Sequence, residues 1–199
     1  MMNARKVTIT LLFLIASLAG GCGFKDQRVG LTYENIAGAG GGGGELFIAK
    51  PLEHYALDKT SGGLWILGTV NGTEGAVVTG DSVDDWFLNA LAAELSAAGY
   101  HVKTVTALPE DAGKGCKPAV LKIAADQTLS LITADTVVHL KLSVEVWKKG
   151  KLVKTLSVSA GNEDKGIDHS AGHLSYVLTS TLQNAMKNLL PDLVEALEK

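Results

Sequence analysis

From Val138 to Trp147 the chain alternates strictly between apolar and polar side chains. Because successive side chains of a strand point to opposite faces, this pattern predicts a strand with one buried and one solvated face. The apolar face would carry Val138, Leu140, Leu142, Val144 and Val146. The polar face would carry His139, Lys141, Ser143, Glu145 and Trp147. A sheet covered on one side only is typical of antiparallel strands.

Further β-prone segments flank this strand. A turn at KKGK and the segment LVKTLSVSAG predict a hairpin partner that follows it. Asn71-Gly72, a dipeptide typical of tight hairpins, separates GLWILGTV from GAVVTG. Other predicted strands are ELFIAK, YHVKTVTAL and AVLKIAADQTLSLIT, and we expect LPEDAGKGCKP to form a loop.

Two segments have the periodicity of helices. In DSVDDWFLNALAAELSAAGY, apolar residues recur every three or four positions, Asp81 or Ser82 can cap the start, and Gly99 can end the helix. A second apolar stripe runs from Leu174 to Leu189, and Pro191 predicts a kink or restart there. Together these elements predict an α+β domain of two layers, in the order β-α-β-β-β-α. A mainly antiparallel sheet would pack against both helices.

Residues 1–21 have the organisation of a secretory signal peptide. Arg5 and Lys6 precede an apolar run from Val7 to Ala19, which is shorter than the roughly 20 residues that span a bilayer. A buried N-terminal helix is the alternative, although the run has no amphipathic pattern.

The sequence Ala19-Gly20-Gly21-Cys22 resembles the bacterial lipobox, although the usual leucine three residues before the cysteine is replaced by Ala19. The resemblance implies cleavage before Cys22 and lipidation of this residue. Two or more acyl chains on Cys22 would anchor the protein stably to a membrane. Gly23, rather than Asp, after the cysteine resembles the outer-membrane sorting signal. A disulfide between Cys22 and Cys116 is the alternative.

We expect residues 22–44 to form a tether between the anchor and the domain. Positions 38 to 44 are all glycine except for one alanine, and such a run is expensive to order. A flexible segment of this length reaches about 25 Å on average. We therefore expect a domain at 45–199 that floats a short distance from the membrane, facing the periplasm.

Few residues suggest chemistry. His169 and His173 have the helical spacing of zinc ligands, but the glutamate of H-E-x-x-H is missing, and a solvated polar loop is the simpler interpretation. Cys116 lies in the predicted loop, where Lys114 and Lys117 would lower the pKa of its thiol. Without a recognisable nucleophile and base, we expect no catalytic residues, no metal and no cofactor. Trp147 suggests either a contact surface or a cover for the edge of the sheet.

Composition excludes one class of partner. The net charge is −3, and loss of Arg5 and Lys6 with the leader makes it more negative. Nucleic acid, which needs a basic surface, is therefore not an expected partner.

Four features of the chain together resemble the YajG-type bacterial lipoproteins. They are the lipobox, the segment from Ile66 to Val102, the hairpin LKLSVEVWKKGKLVKTLSVSAG and the Leu-rich last helix. The resemblance covers most of residues 45–199, and its motifs are structural. It implies a fold and a location in the bacterial envelope. Our leading hypothesis is a non-catalytic outer-membrane lipoprotein whose periplasmic domain is a binding or assembly module. Similarity to lipoproteins of the LptE and PqiC types implies the alternative, a lipid- or glycan-binding accessory of an envelope transport system.

Overall fold

A computed structural model describes residues 26–36, 40–51 and 57–199. The leader and Cys22 lie outside the described residues. In this part of the chain, eight strands form one sheet, and two helices, α1 (Val83–Ala97) and α2 (Ala171–Glu198), complete the domain. The strands are β1 (Gln27–Arg28), β2 (Glu45–Ala49), β3 (Trp65–Val70), β4 (Gly75–Thr79), β5 (His101–Val105), β6 (Gly115–Leu129), β7 (Ala134–Lys148) and β8 (Lys151–Gly166). The predicted α+β class with two helices is confirmed. The predicted order β-α-β-β-β-α is wrong, because among the described residues four strands precede α1 and four more lie between the helices.

Strands β6, β7 and β8 form a long antiparallel meander. The alternation predicted for β7 is confirmed, because its five aliphatic side chains from Val138 to Val146 are all buried, whereas His139 and Lys141 are exposed. The hairpin between β3 and β4 is confirmed too, and positive φ angles at Asn71 and Gly72 form its turn. Strand β8 is longer than expected, because NEDKG continues it to Gly166.

The expectation of a mainly antiparallel sheet is confirmed only in part, because the sheet is mixed. Strand β2 pairs in parallel with both β5 and β6, and β3 touches the end of β6 in parallel. The crossover from β2 to β5 contains α1, and a connection of that length allows parallel neighbours. Side-chain periodicity is the same in parallel and antiparallel strands, so it does not reveal this pairing.

Both helices cover the same face of the sheet. Helix α1 packs on β5 and β6, and α2 packs on β7 and β8. Large, fully buried side chains fill the layer between the helices and the sheet. They include Phe87, Leu91, Leu142, Leu178 and Met186. Interiors packed in this way have few voids larger than a water molecule.

The helix ends follow local sequence signals. Ser82 caps α1 and accepts a hydrogen bond from the amide of Asp85 at 3.1 Å, and Gly99, with φ of 111°, follows the helix. The expected restart of the last helix at Pro191 is not observed, because α2 continues through this residue to Glu198. Burial of Leu190, Leu193 and Leu197 against the core compensates for the missing N–H.

The segment before Glu45 differs most from expectation. Residues 26–36 do not form a free tether, because β1 pairs with β4 and Leu31, Tyr33 and Ile36 pack against the core. Part of the glycine run also packs: the amide of Gly42 donates to the carbonyl of Ala98 at 3.0 Å. A Cβ at position 42 would lie 2.2 Å from the Tyr100 ring, so glycine permits this close approach.

Glu94 of α1 holds this N-terminal segment on the domain. Its carboxylate is buried and accepts hydrogen bonds from the Tyr33 hydroxyl at 2.6 Å and the Ile36 amide at 2.7 Å. Burial and the neighbouring carboxylate raise the pKa of Tyr33 above its ordinary value, so the hydroxyl stays protonated and keeps donating. A buried carboxylate must be satisfied by such donors, because leaving it unpaired is costly.

We predict that Tyr33→Phe lowers the free energy of unfolding by about 1–3 kcal/mol, because it removes one donor from the buried carboxylate. Urea denaturation measures the change. Tyr176→Phe removes the same hydroxyl from an exposed ring and should leave stability unchanged. Equal stability of both variants and the wild type would show that residues 26–36 are not held by Glu94.

Candidate binding surface

The face of the β6–β8 meander opposite the helices carries the exposed polar side chains. Lys122 and Lys141 lie directly opposite each other, and neither has an ion-pair partner among the described residues. They line a shallow groove together with His139, Ser159 and Gly161. Two unpaired lysines at adjacent positions make the middle of this face positively charged.

A more enclosed but smaller pocket lies at one end of this face, around Trp147. It has a volume of about 180 Å³ and is lined by Leu108, Pro109, Glu110, Ala112, Lys117, Trp147 and Gly150. We call this set the Trp147 pocket. Phe47, Gly115 and Trp147 are neighbours across β2, β6 and β7 in register, so their positions share one face. Because Gly115 has no side chain, Leu108 packs over it and forms one wall.

The Trp147 ring is held from two sides. Lys117 Nζ lies 4.0 Å above the ring centroid, and the indole N–H donates to Glu145 Oε2 at 2.9 Å. A cation over an indole face is attracted by the ring quadrupole. The turn after β7 is fixed as well, because the Lys149 amide donates to the Ala112 carbonyl at 2.8 Å. The ring is therefore held in one position by contacts within the domain.

The size of the Trp147 pocket limits its occupant. Sites for drug-sized ligands usually enclose about 300–1,000 Å³. A pocket of about 180 Å³ is large enough for a single apolar side chain or ring. Anchored aromatic residues beside a positive charge are typical of protein contact surfaces. Of the two interpretations of Trp147, the geometry favours the contact surface.

The two histidines do not come together with further ligands. His173 Nε2 lies 3.1 Å from Asp164 Oδ2 at the start of α2, and His169 lies in the turn before it. The described residues contain no group of three histidine, cysteine or acidic side chains that could hold a metal. Ser170 caps α2 by accepting from the His173 amide, and the Asp168 carboxylate accepts from the Ser170 amide at 2.8 Å. These contacts give the acidic and polar residues structural roles at a helix start.

The expectation for Cys116 is wrong. This residue lies inside β6 rather than in a loop, and it is a free thiol that is completely buried. Burial raises its pKa from 9.0 to about 12, the opposite of the expected lowering. Lys114 points away and pairs with Glu198 at 2.6 Å. A neutral, inaccessible thiol is unsuited to nucleophilic chemistry.

Sequence reasoning missed Lys117 and the segment around Leu108 as parts of the pocket. The same error that put Cys116 in a loop hid them, because Pro118 and the glycines before it suggest a turn. The register places Lys117 opposite Glu145, two positions before Trp147. The strong alternation in β7 was the one signal in the sequence that could have placed Lys117 in a strand. A strand as long as β7 requires a neighbour of similar length, and β6 is that neighbour.

The described residues contain no helix that is long and apolar enough to cross a membrane. The lipidation site predicted at Cys22 lies outside these residues.

No protein-family model matches the chain, and no curated protein matches it in sequence. Solved structures do match in fold. One is protein XCC0632 from Xanthomonas campestris, of the family designated DUF330, with a TM-score of 0.56 and 9% identity over 85% of this chain and 94% of that chain. Another is lipoprotein GNA1162 from Neisseria meningitidis, with a TM-score of 0.36 and 16% identity over 73% of this chain and 99% of that one. The first likeness shows a shared fold, and the second is too distant to support an argument.

Proposed function

We propose that this protein is a lipid-anchored lipoprotein of the bacterial envelope. Acyl chains on Cys22 would hold it to the outer membrane, with the domain in the periplasm. The apolar leader, the lipobox-like residues Ala19 to Cys22 and Gly23 after the cysteine support this location. The resemblance to YajG-type lipoproteins supports it as well.

The domain would act by binding a partner protein of the envelope, without catalysis. The observation that carries this proposal is the Trp147 pocket, in which Lys117 and Glu145 hold an accessible indole in place. The packed layer between the sheet and the helices also supports a protein partner over a small-molecule ligand. Fully buried side chains such as Phe87 and Leu178 fill the space in which a ligand-binding domain would have an apolar cavity.

A lipid- or glycan-binding accessory of an envelope transport system is the second candidate. The pocket favours it in one respect, because Leu108 and Pro109 give an apolar wall beside the indole. A sugar ring or an acyl chain could stack there. The small volume favours a protein side chain instead.

The anchor is tested by replacing Cys22. We predict that Cys22→Ser moves the protein from the membrane fraction to the soluble fraction, because a serine side chain cannot form the thioether. Cys116→Ser, which changes the other cysteine, should leave the protein with the membrane. Membrane retention of the Cys22→Ser protein would contradict lipid anchorage.

The binding surface is tested by site-specific photo-crosslinking in cells. A photoreactive phenylalanine in place of Leu152, the residue paired with Trp147 across the hairpin, should give a discrete protein adduct. We predict that Trp147→Ala removes most of this adduct, since truncation of a central aromatic contact commonly costs 2 kcal/mol or more.

Trp65→Ala provides the matched control, because Lys59 Nζ lies 3.7 Å above that ring at another place in the sheet. This variant should leave the adduct unchanged. An adduct of lipid or glycan mass would favour the second candidate. An adduct of undiminished yield in the Trp147→Ala protein would contradict a role for the pocket.

A further inference from the structure

Three aliphatic side chains at one end of the sheet are almost fully exposed to water. The exposed fractions are 103% for Leu131, 74% for Ile132 and 80% for Ile167. No other large hydrophobic side chain of the described residues exceeds 65%. We call these three residues the apolar tip. Isolated exposed aliphatic residues are ordinary, but a group of the most exposed ones at one place suggests a contact.

Strand pairing brings the three residues of the apolar tip together. Leu131 and Ile132 lie in the turn between β6 and β7, and Ile167 follows directly after β8. Ala134, the first residue of β7, pairs with Gly166, the last residue of β8. Strand neighbours are separated by about 4.8 Å, so Ile167 emerges beside the turn.

The turn that carries Leu131 and Ile132 is held by hydrogen bonds across its base. The Ser130 amide donates to the Thr133 carbonyl at 2.8 Å, and the Thr133 amide donates to the Ser130 hydroxyl at 3.0 Å. These bonds satisfy the polar groups of the turn within the turn itself. The two aliphatic side chains are thereby directed outward rather than back onto the sheet.

The chain enters the described domain at this same end. The Asp26 carboxylate accepts from the Ala76 amide at 3.0 Å, and Gln27 pairs with Val77 in β4. Strand β4 begins at Gly75 opposite Val70, and Val70 in turn pairs with Gln127 near the end of β6. From β1 to β6 the order is β1-β4-β3-β6, so Asp26 lies three strands, or about 15 Å, to the side of β6. The turn after β6 begins about four residues beyond this level along the strand.

Cys22 precedes Asp26 by four positions in the sequence. Four residues span at most about 14 Å even when fully extended. If acyl chains on Cys22 are inserted in a bilayer, this short connection keeps Asp26, which lies at the same end of the sheet as the apolar tip, within about 14 Å of the lipid surface. The start of β8 lies at the opposite end of the sheet from this connection.

We infer that the apolar tip inserts into the surface of the bilayer that holds the Cys22 lipid. This inference rests on the proposed lipid anchor. The occupant is a lipid surface rather than an anionic headgroup site, because the charges beside the tip are largely acidic. Lys165, the nearby cation, lies 3.9 Å from Asp135 and 3.5 Å from Glu163. The contact is therefore apolar and needs no anionic lipid.

The test uses the full lipidated chain in phosphatidylcholine vesicles, with a nitroxide on a single introduced cysteine. The variants are Leu131→Cys, Ile132→Cys and Ile167→Cys. Val153→Cys is the matched control, because it is an aliphatic position that is 54% exposed at the opposite end of β8. The buried Cys116 should not react with the label. Collision rates with oxygen and with a water-soluble nickel chelate report whether each nitroxide lies in lipid or in water.

We expect the three tip labels to shift toward oxygen and away from nickel when the protein is on vesicles, while the label at 153 stays in water. Equal collision rates at all four positions, on protein that sediments with the vesicles, would overturn the inference and leave the anchor intact. Failure to sediment, with an unmodified N-terminus by mass spectrometry, would overturn the anchor. Spin–spin broadening at the tip without a shift toward oxygen would assign this end to a contact between two copies and also contradict the inference.

Discussion

The whole sheet depends on the pairing of a single strand, β6. Its fifteen residues pair with β7 along nearly their full length, with β2 at Gly115 and Cys116, and with β3 at Gln127. Each group of strands is connected to the others through β6. Its side chains toward the helices, among them Cys116, Val120 and Ile123, are all buried, so a shift of register by one residue would expose that entire set to water.

This constraint fixes the direction of the other strands and places the apolar tip and the Trp147 pocket at opposite ends of the sheet. Strand β7 starts at Ala134 beside the apolar tip and reaches the pocket at Trp147. At about 3.4 Å per residue the two ends lie at most about 45 Å apart. In the proposed orientation, one end contacts the membrane that holds the anchor, and the other presents the Trp147 pocket to partners in the periplasm. The exposed face with Lys122 and Lys141 lies between them.

Local patterns in the sequence predicted those parts of the fold that depend on local physics. The alternation in β7 and the apolar stripe of α1 are set by burial on one face. Ser82 caps a helix and Asn71-Gly72 forms a turn through contacts with residues close to them in the sequence. The parallel pairing of β2 with β5 and β6 could not be predicted, because it depends on how a long crossover packs. The position of Cys116 was missed for a related reason, since Gly115 and Pro118 suggest a turn, and only pairing with Val144 and Trp147 makes them part of a strand.

The N-terminal segment shows the same limit, and its packing bears on the proposed distance between the domain and the membrane. A glycine-rich run predicts slack, but the buried Glu94 carboxylate binds Tyr33 and Ile36, and Gly42 packs under Tyr100. These contacts join residues far apart in the sequence, so no local pattern reveals them. They leave three residues between the proposed anchor at Cys22 and the described domain, which begins at Asp26.

The position of the domain relative to the bilayer tests this account most directly. Neutron reflectometry of the lipidated protein on a supported phosphatidylcholine bilayer measures the profile of protein density along the membrane normal. The account predicts protein density that begins within the headgroup layer. A water-filled layer of about 25 Å between headgroups and protein, the mean reach of a free tether over residues 23–44, would contradict it.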